Sequence, residues 1–319
     1  MLTVFVLFQQ TVKAEEVQSK ELYTLEKPTW LINEGFSKGI NHDKQDLGIV
    51  LSKGSTLRIR QVNTAFTEKI TVQMLNNDSK TEKSVAVGND WVNITVDADA
   101  VPFIMTTFTS AKPKIEYQII GNSVSLPKFE QSNNEAAFFS KWDANNASFA
   151  LIGNKYVQIL IPTRDKYYLK KMNDFSSIDQ LLAYYDNVFE TFNELSGISF
   201  NPKNSLDKNI PNRYFGKANK SGNGGAYYGG SETAESSEST ITFWLTKGWG
   251  ALHEIGHGYQ GNFMNDNTYD VGEVWNNIYA DTFQKRTAGS VYFTGAGLYA
   301  GGGGVNAVED AFEKKCIQG

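Results

Sequence analysis

The run Ala251-Leu252-His253-Glu254-Ile255-Gly256-His257-Gly258-Tyr259 constrains this chain more than any other stretch. An α-helix turns about 100° per residue, so His253 and His257 lie one turn apart on one face and can reach a single metal. Glu254 sits too close to the first histidine to share that metal comfortably, but it can take a proton from water held there. That makes it the candidate general base. Zinc bound by two histidines and one carboxylate keeps a fourth position for water, lowers the pKa of that water toward ~7 and polarises a carbonyl. The chain has 3 histidines in 319 residues, so two in this register with Glu between them are a rare coincidence of composition. The third, in Asn41-His42-Asp43-Lys44, reads as a solvated loop residue.

The third ligand decides the subclass. A metzincin would carry Gly and then His shortly after His257, but positions 260 and 263 are Gln260 and Phe263. Two carboxylates remain nearby, Asp270 and Glu273. Asp270, in Asn267-Thr268-Tyr269-Asp270, faintly echoes the aspartate-ligand zincins without their glycine. Glu273 opens an apolar run, Val274, Trp275, Ile278, Tyr279 and Phe283, whose helical spacing would project it toward the histidines. Glu273 is favoured, because zincins take this ligand from such a helix. Asn277, one turn on, is either a group that orients a ligand or ordinary helix surface.

The segments Phe243 to Gly261 and Gly272 to Tyr279 closely resemble the enhancin-like, mucin-degrading gluzincins, which include viral enhancing factors and bacterial relatives. Arg213-Tyr214-Phe215, Gly224 to Gly229 and Gly48 to Gly54 are similar to that family as well, so the resemblance runs from about residue 35 to 290. It implies a zinc metallopeptidase acting on mucins or other O-glycosylated proteins. One Zn2+ per chain would be held by His253, His257 and Glu273, with Glu254 as acid/base. The substrate class comes wholly from this resemblance. Family members continue well beyond the end of this chain, which implies a form truncated at its C-terminus.

A formal charge of −5 and the lack of a basic stripe interleaved with aromatics argue against a nucleic-acid partner. The one cysteine, Cys316, excludes an intramolecular disulfide framework and a cysteine zinc cluster. Met1 to Phe8 followed by Val12-Lys13-Ala14 resembles the end of a secretory signal peptide, here without its basic leader, so residues 1–14 are expected to direct export. That apolar run is too short to span a membrane, and no later segment comes close.

Two regions follow, and the expected fold class is α+β. Over 28–125, Thr56 to Arg60, Ile70 to Met74, Trp91 to Val96 and Ile115 to Ile119 alternate with period two, which indicates an antiparallel β-sandwich. Over 126–319 the expectation is a zincin-type, gluzincin catalytic region. There Lys155 to Ile161 is a strand, and Ser177-Ile178-Asp179-Gln180 caps a helix whose apolar face runs from Ile178 to Leu195 and stops at Gly197. Gly222 to Gly230 lacks the Lys-Ser/Thr ending of a phosphate loop. Its Ala226-Tyr227-Tyr228 is either a plain loop or part of the edge strand that holds substrate backbone in zincins. Ser231 to Thr240 reads as a solvated loop, and Ile241 to Leu245 as a strand leading into the motif helix. Tyr269, Tyr279 and Tyr299 are candidates to stabilise the oxyanion.

The reading is an exported zinc endopeptidase of mucin-like glycoproteins. Two alternatives compete with it. One is a glycoprotein-binding or adhesion protein whose peptidase domain is incomplete. The other is a general gluzincin without glycan dependence.

Overall fold

The computed structural model describes residues 16–63, 65–268 and 271–288. The alternation read from Thr56 onward becomes burial. In strand Thr56–Gln61, Leu57, Ile59 and Gln61 are buried while Thr56, Arg58 and Arg60 are half-exposed. This strand pairs antiparallel with Lys114–Ile120 and Val92–Thr95, and Gln18–Glu21 completes a four-stranded sheet. A second antiparallel four-stranded sheet runs Lys44–Asp46, Val101–Met105, Ile70–Leu75, Lys83–Val87. Leu57, Ile94 and Ile115 of the first sheet share one buried apolar cluster with Val72, Val87 and Ile104 of the second. Removing such side chains from water is the main favourable term in holding the two sheets.

The other core surrounds a six-stranded sheet. Its strands are β1 (Lys128–Glu130), β2 (Phe149–Gly153), β3 (Val157–Pro162), β4 (Tyr214–Ala218), β5 (Ala226–Tyr228) and β6 (Thr233–Glu235), in the order β1-β2-β3-β4-β6-β5. β2, β3 and β4 are buried at every residue, as central strands covered on both faces must be. β4 and β6 are parallel, and the outermost strand, β5, runs antiparallel to β6.

Helix α1 (Ile178–Leu195) packs its expected apolar face into this core, although Leu195 in its last turn is exposed. Ser177 Oγ accepts from Gln180 N–H at 3.2 Å, and Gln180 Oε1 accepts from Ser176 N–H at 3.0 Å, so the return bond of the capping box lands one residue early. Gly197 follows with a φ of 75°, a left-handed conformation that ends the helix.

Three expectations are corrected. Ile241–Trp244 is a helical turn, not a strand. Asp165 Oδ2 accepts from Thr240 N–H at 2.6 Å and Glu235 Oε2 accepts from Phe243 N–H at 3.1 Å, so carboxylates satisfy the donors that open the turn. Ser231 to Thr240 is not a solvated loop, because its Thr233–Glu235 is the fully buried strand β6. His42 is 1% exposed rather than solvated. Its Nε2 lies 2.9 Å from Gly229 O, and its ring packs between Tyr214 and Tyr228. The polar neighbours that suggested a loop have buried partners. Asp43 Oδ2 accepts from Arg213 N–H at 2.7 Å, and Lys44 Nζ donates to Gln73 at 2.9 Å. The signal-like residues 1–14 and the glycine-rich C-terminal stretch lie outside the described residues.

Candidate metal centre

Helix α2 (Trp249–His257) buries Ala251, Leu252 and Ile255 against the core and carries His253, Glu254 and His257. Helix α3 (Trp275–Ala288) crosses it closely. The contact requires Gly256, because a Cβ there would lie 2.9 Å from Asn276 Cα and 2.9 Å from Asn276 O. Gly258 has the same character, as its Cβ would fall 2.0 Å from the Tyr214 hydroxyl of β4.

The close crossing brings a carboxylate to the histidines. His253, His257 and Glu273 each offer one donor atom, and the three atoms lie within 4.8 Å of one another. Glu273 does not sit inside α3; it lies in the turn just before it, with its side chain 71% exposed. Of the apolar run behind it, Tyr279 and Phe283 are buried, whereas Val274 and Ile278 face outward. Asp270 lies outside the described residues.

The donor set fits zinc. Bonds of about 2.0–2.2 Å in a tetrahedron place donor atoms roughly 3.3 Å apart. Glu273 Oε2 is 3.0 Å from His253 Nε2 and 3.5 Å from His257 Nε2. The Asn276 amide nitrogen stands at the point of convergence, 3.0 Å from His253 Nε2, 2.9 Å from His257 Nε2 and 3.1 Å from Glu273 Oε2. Three acceptors aimed at one electropositive group form a site for which a cation competes.

The other ring nitrogens fix the tautomers. Asn277 Oδ1 lies 3.0 Å from His253 Nδ1 and accepts from Trp249 Nε1–H at 2.9 Å. Because an amide oxygen only accepts, His253 Nδ1 carries the proton and Nε2 keeps its lone pair for a metal. Of the two readings of Asn277, the orienting one is thus the one the geometry matches. Gln260 Oε1, 3.0 Å from His257 Nδ1, plays the same part for the second histidine. The roles of Gln260 and Asn276 were not legible in the sequence, since a single amide carries no spacing signal.

Glu254 Oε2 lies 3.8 Å from His257 Nε2. Burial pushes its carboxyl above the usual range, the two histidines pull it down, and Glu273 raises it further. Edge strand β5 borders the site, with the Tyr228 ring 6.4 Å from the His257 ring. Of the oxyanion candidates, Tyr279 is 3% exposed and packs against Phe192 and Tyr259, so it belongs to the core. Tyr269 and Tyr299 lie outside the described residues.

Residues 124–310 match the family model described as Peptidase M60, enhancin and enhancin-like. The chain is 28% identical over 270 residues to the viral-enhancing factor of Trichoplusia ni granulosis virus, covering 81% of this chain and 29% of that protein. It thus spans under a third of the length of that curated relative. The fold is similar to the catalytic module of the metalloprotease ZmpA from Clostridium perfringens, with a TM-score of 0.65 and 15% identity over 84% of this chain and 57% of that one. It is equally similar to the M60 catalytic domain of Clostridium perfringens ZmpC in complex with the sialyl T antigen, with a TM-score of 0.65 and 14% identity over 85% and 57%.

Proposed function

The chain belongs to the peptidase M60, enhancin and enhancin-like family, and from that premise we propose that it is an exported, zinc-dependent endopeptidase of mucin-like O-glycosylated proteins. In this reading residues 28–125 form a sandwich-like β region and residues 126–319 a gluzincin catalytic region. His253, His257 and Glu273 hold one Zn2+, and Glu254 is the catalytic acid/base. The convergence of two histidine nitrogens and one carboxylate oxygen carries the reading.

Zinc, when bound, supplies a Lewis acid that acidifies water and polarises the scissile carbonyl. Glu254 takes the proton of the attacking water and returns it to the departing amine nitrogen. Asn277 and Gln260 keep each histidine in the tautomer whose Nε2 is free. Strand β5, at the edge of the sheet, offers its backbone to an extended peptide.

The glycan part of the proposal rests on the family and on the ZmpC neighbour solved with the sialyl T antigen. Export rests on the signal-like start of the chain; no described helix is long and apolar enough to cross a membrane. The test is digestion of a mucin and of the same mucin stripped of its O-glycans. Cleavage of the first alone supports glycan dependence, equal cleavage of both leaves a general gluzincin, and binding without cleavage points to an adhesion protein.

A further inference from the structure

At the C-terminal end of β5 lies a cavity of about 540 Å3 that the catalytic reading leaves unused. Ile32, Phe36, Ile40, His42, Phe108 and Tyr228 line it. Tyr228 belongs to both places, since its ring also stands 6.4 Å from that of His257. The walls are fixed in position. Gly39 N–H donates to the Tyr228 hydroxyl at 2.7 Å, and Ser37 Oγ lies 2.9 Å from it. Beyond Tyr228, the turn is tied by His42 Nε2 at 2.9 Å from Gly229 O and by Lys44 Nζ donating to Ser231 O at 2.8 Å. Every lining residue named above except Tyr228 and Gly229 lies outside residues 124–310, so a part of the chain beyond the family match shapes a space beside the metal centre.

For a substrate that pairs antiparallel with β5, as β6 does, the direction of the strand says which part meets this space. A peptide pairing antiparallel with β5 runs opposite to it, and its residues before the scissile bond then lie toward Gly229 and Gly230. We propose that the cavity receives an apolar side chain, aliphatic or aromatic, of a substrate residue on the N-terminal side of the scissile bond. The assignment rests on the peptidase reading above. Phe36 and Ile40 are each 6% exposed and have no polar atoms in their side chains, so a charged substrate side chain would enter at a desolvation cost that only Lys27, also in the lining, offsets, and only for an acidic one.

The test scans Gly, Asp, Leu and Phe through the three positions before and the three after the cleaved bond of a mucin-derived glycopeptide. Two quantities are read: kcat/KM with the zinc-loaded chain, and calorimetric binding to its Glu254→Gln variant. Leu or Phe is expected to exceed Asp by about tenfold at one position before the bond. Ile32→Asp, and separately Phe108→Ala, should reduce that ratio to about two or less. A flat response before the bond, an apolar preference confined to positions after it, or a preference that survives both substitutions overturns the assignment. If no peptide is cut, the peptidase reading fails and the placement relative to a scissile bond falls with it; a Leu-over-Asp binding ratio that depends on Ile32 would then leave only the cavity's apolar preference standing. Cleavage without preference gives the reverse.

Discussion

His253 illustrates how much one side chain depends on its neighbours: Asn277 Oδ1 accepts a hydrogen bond from its Nδ1–H, Trp249 orients that amide, and Nε2 is left to face Glu273. Asn277→Ala should therefore weaken zinc binding by about 10- to 100-fold, read by competition with a chelator of known affinity. Glu254→Gln should leave one zinc in place and lower turnover by about a thousandfold, and survival of turnover would remove Glu254 from the chemistry. Glu273→Ala should lower zinc affinity more than Asp270→Ala does, and the opposite order would move the third ligand to Asp270. The structure brings His253, His257 and Glu273 together, a grouping to which the four-residue spacing of the histidines pointed, although Glu273, read as opening a helix, lies in the turn before it. Asn276 and Gln260 carried no such spacing. Gln260 stood in the sequence only as the residue that was not a histidine.

Between elements, the decisive contact is that of α2 with α3, where the glycine in the middle of the motif lets one helix backbone approach the other. Gly256→Ala should force a shift against Asn276 that costs about 1–3 kcal/mol, seen in thermal denaturation. Because that shift carries Glu273 away from the histidines, zinc affinity should fall with it, and an unchanged affinity would contradict this account of the helix pair. The long helix α1 and the alternating strands were legible because one face of each is buried along most of its length. Ile241–Trp244 misled for a physical reason. An apolar, β-branched run suits a strand, but the outer sheet positions are taken by β6 and β5, and two carboxylates cap the turn instead. The edge strand itself was legible only as one of two options. Its three residues, each half-buried, are too short a run to alternate.

Across the whole molecule, the N-terminal sheets and the six-stranded core are tied by buried polar groups that local sequence could not pair. Lys217, fully buried on β4, meets Glu82 at 2.8 Å, and Arg213 reaches Asp43 at 3.3 Å. His42 belongs to the same seam, and burial lowers its pKa from 6.5 to about 4. The unfolded chain therefore binds this proton first as the pH falls. Stability contributed by neutral His42 is fully present above about pH 6.5 and is lost as the pH drops toward 4, by at most about 3 kcal/mol. His42→Gln keeps a donor for Gly229 O and should flatten that window in urea unfolding at pH 4.5 and 7; an equally steep loss would place the acid sensitivity elsewhere. The measurement that tests the central claim most directly is cleavage of a mucin by the purified chain, assayed together with its metal content, before and after a zinc chelator. The account predicts one zinc per chain, cleavage that stops on chelation and cleavage that returns with added zinc. A chain that holds no zinc, or that cuts equally well without it, would contradict it.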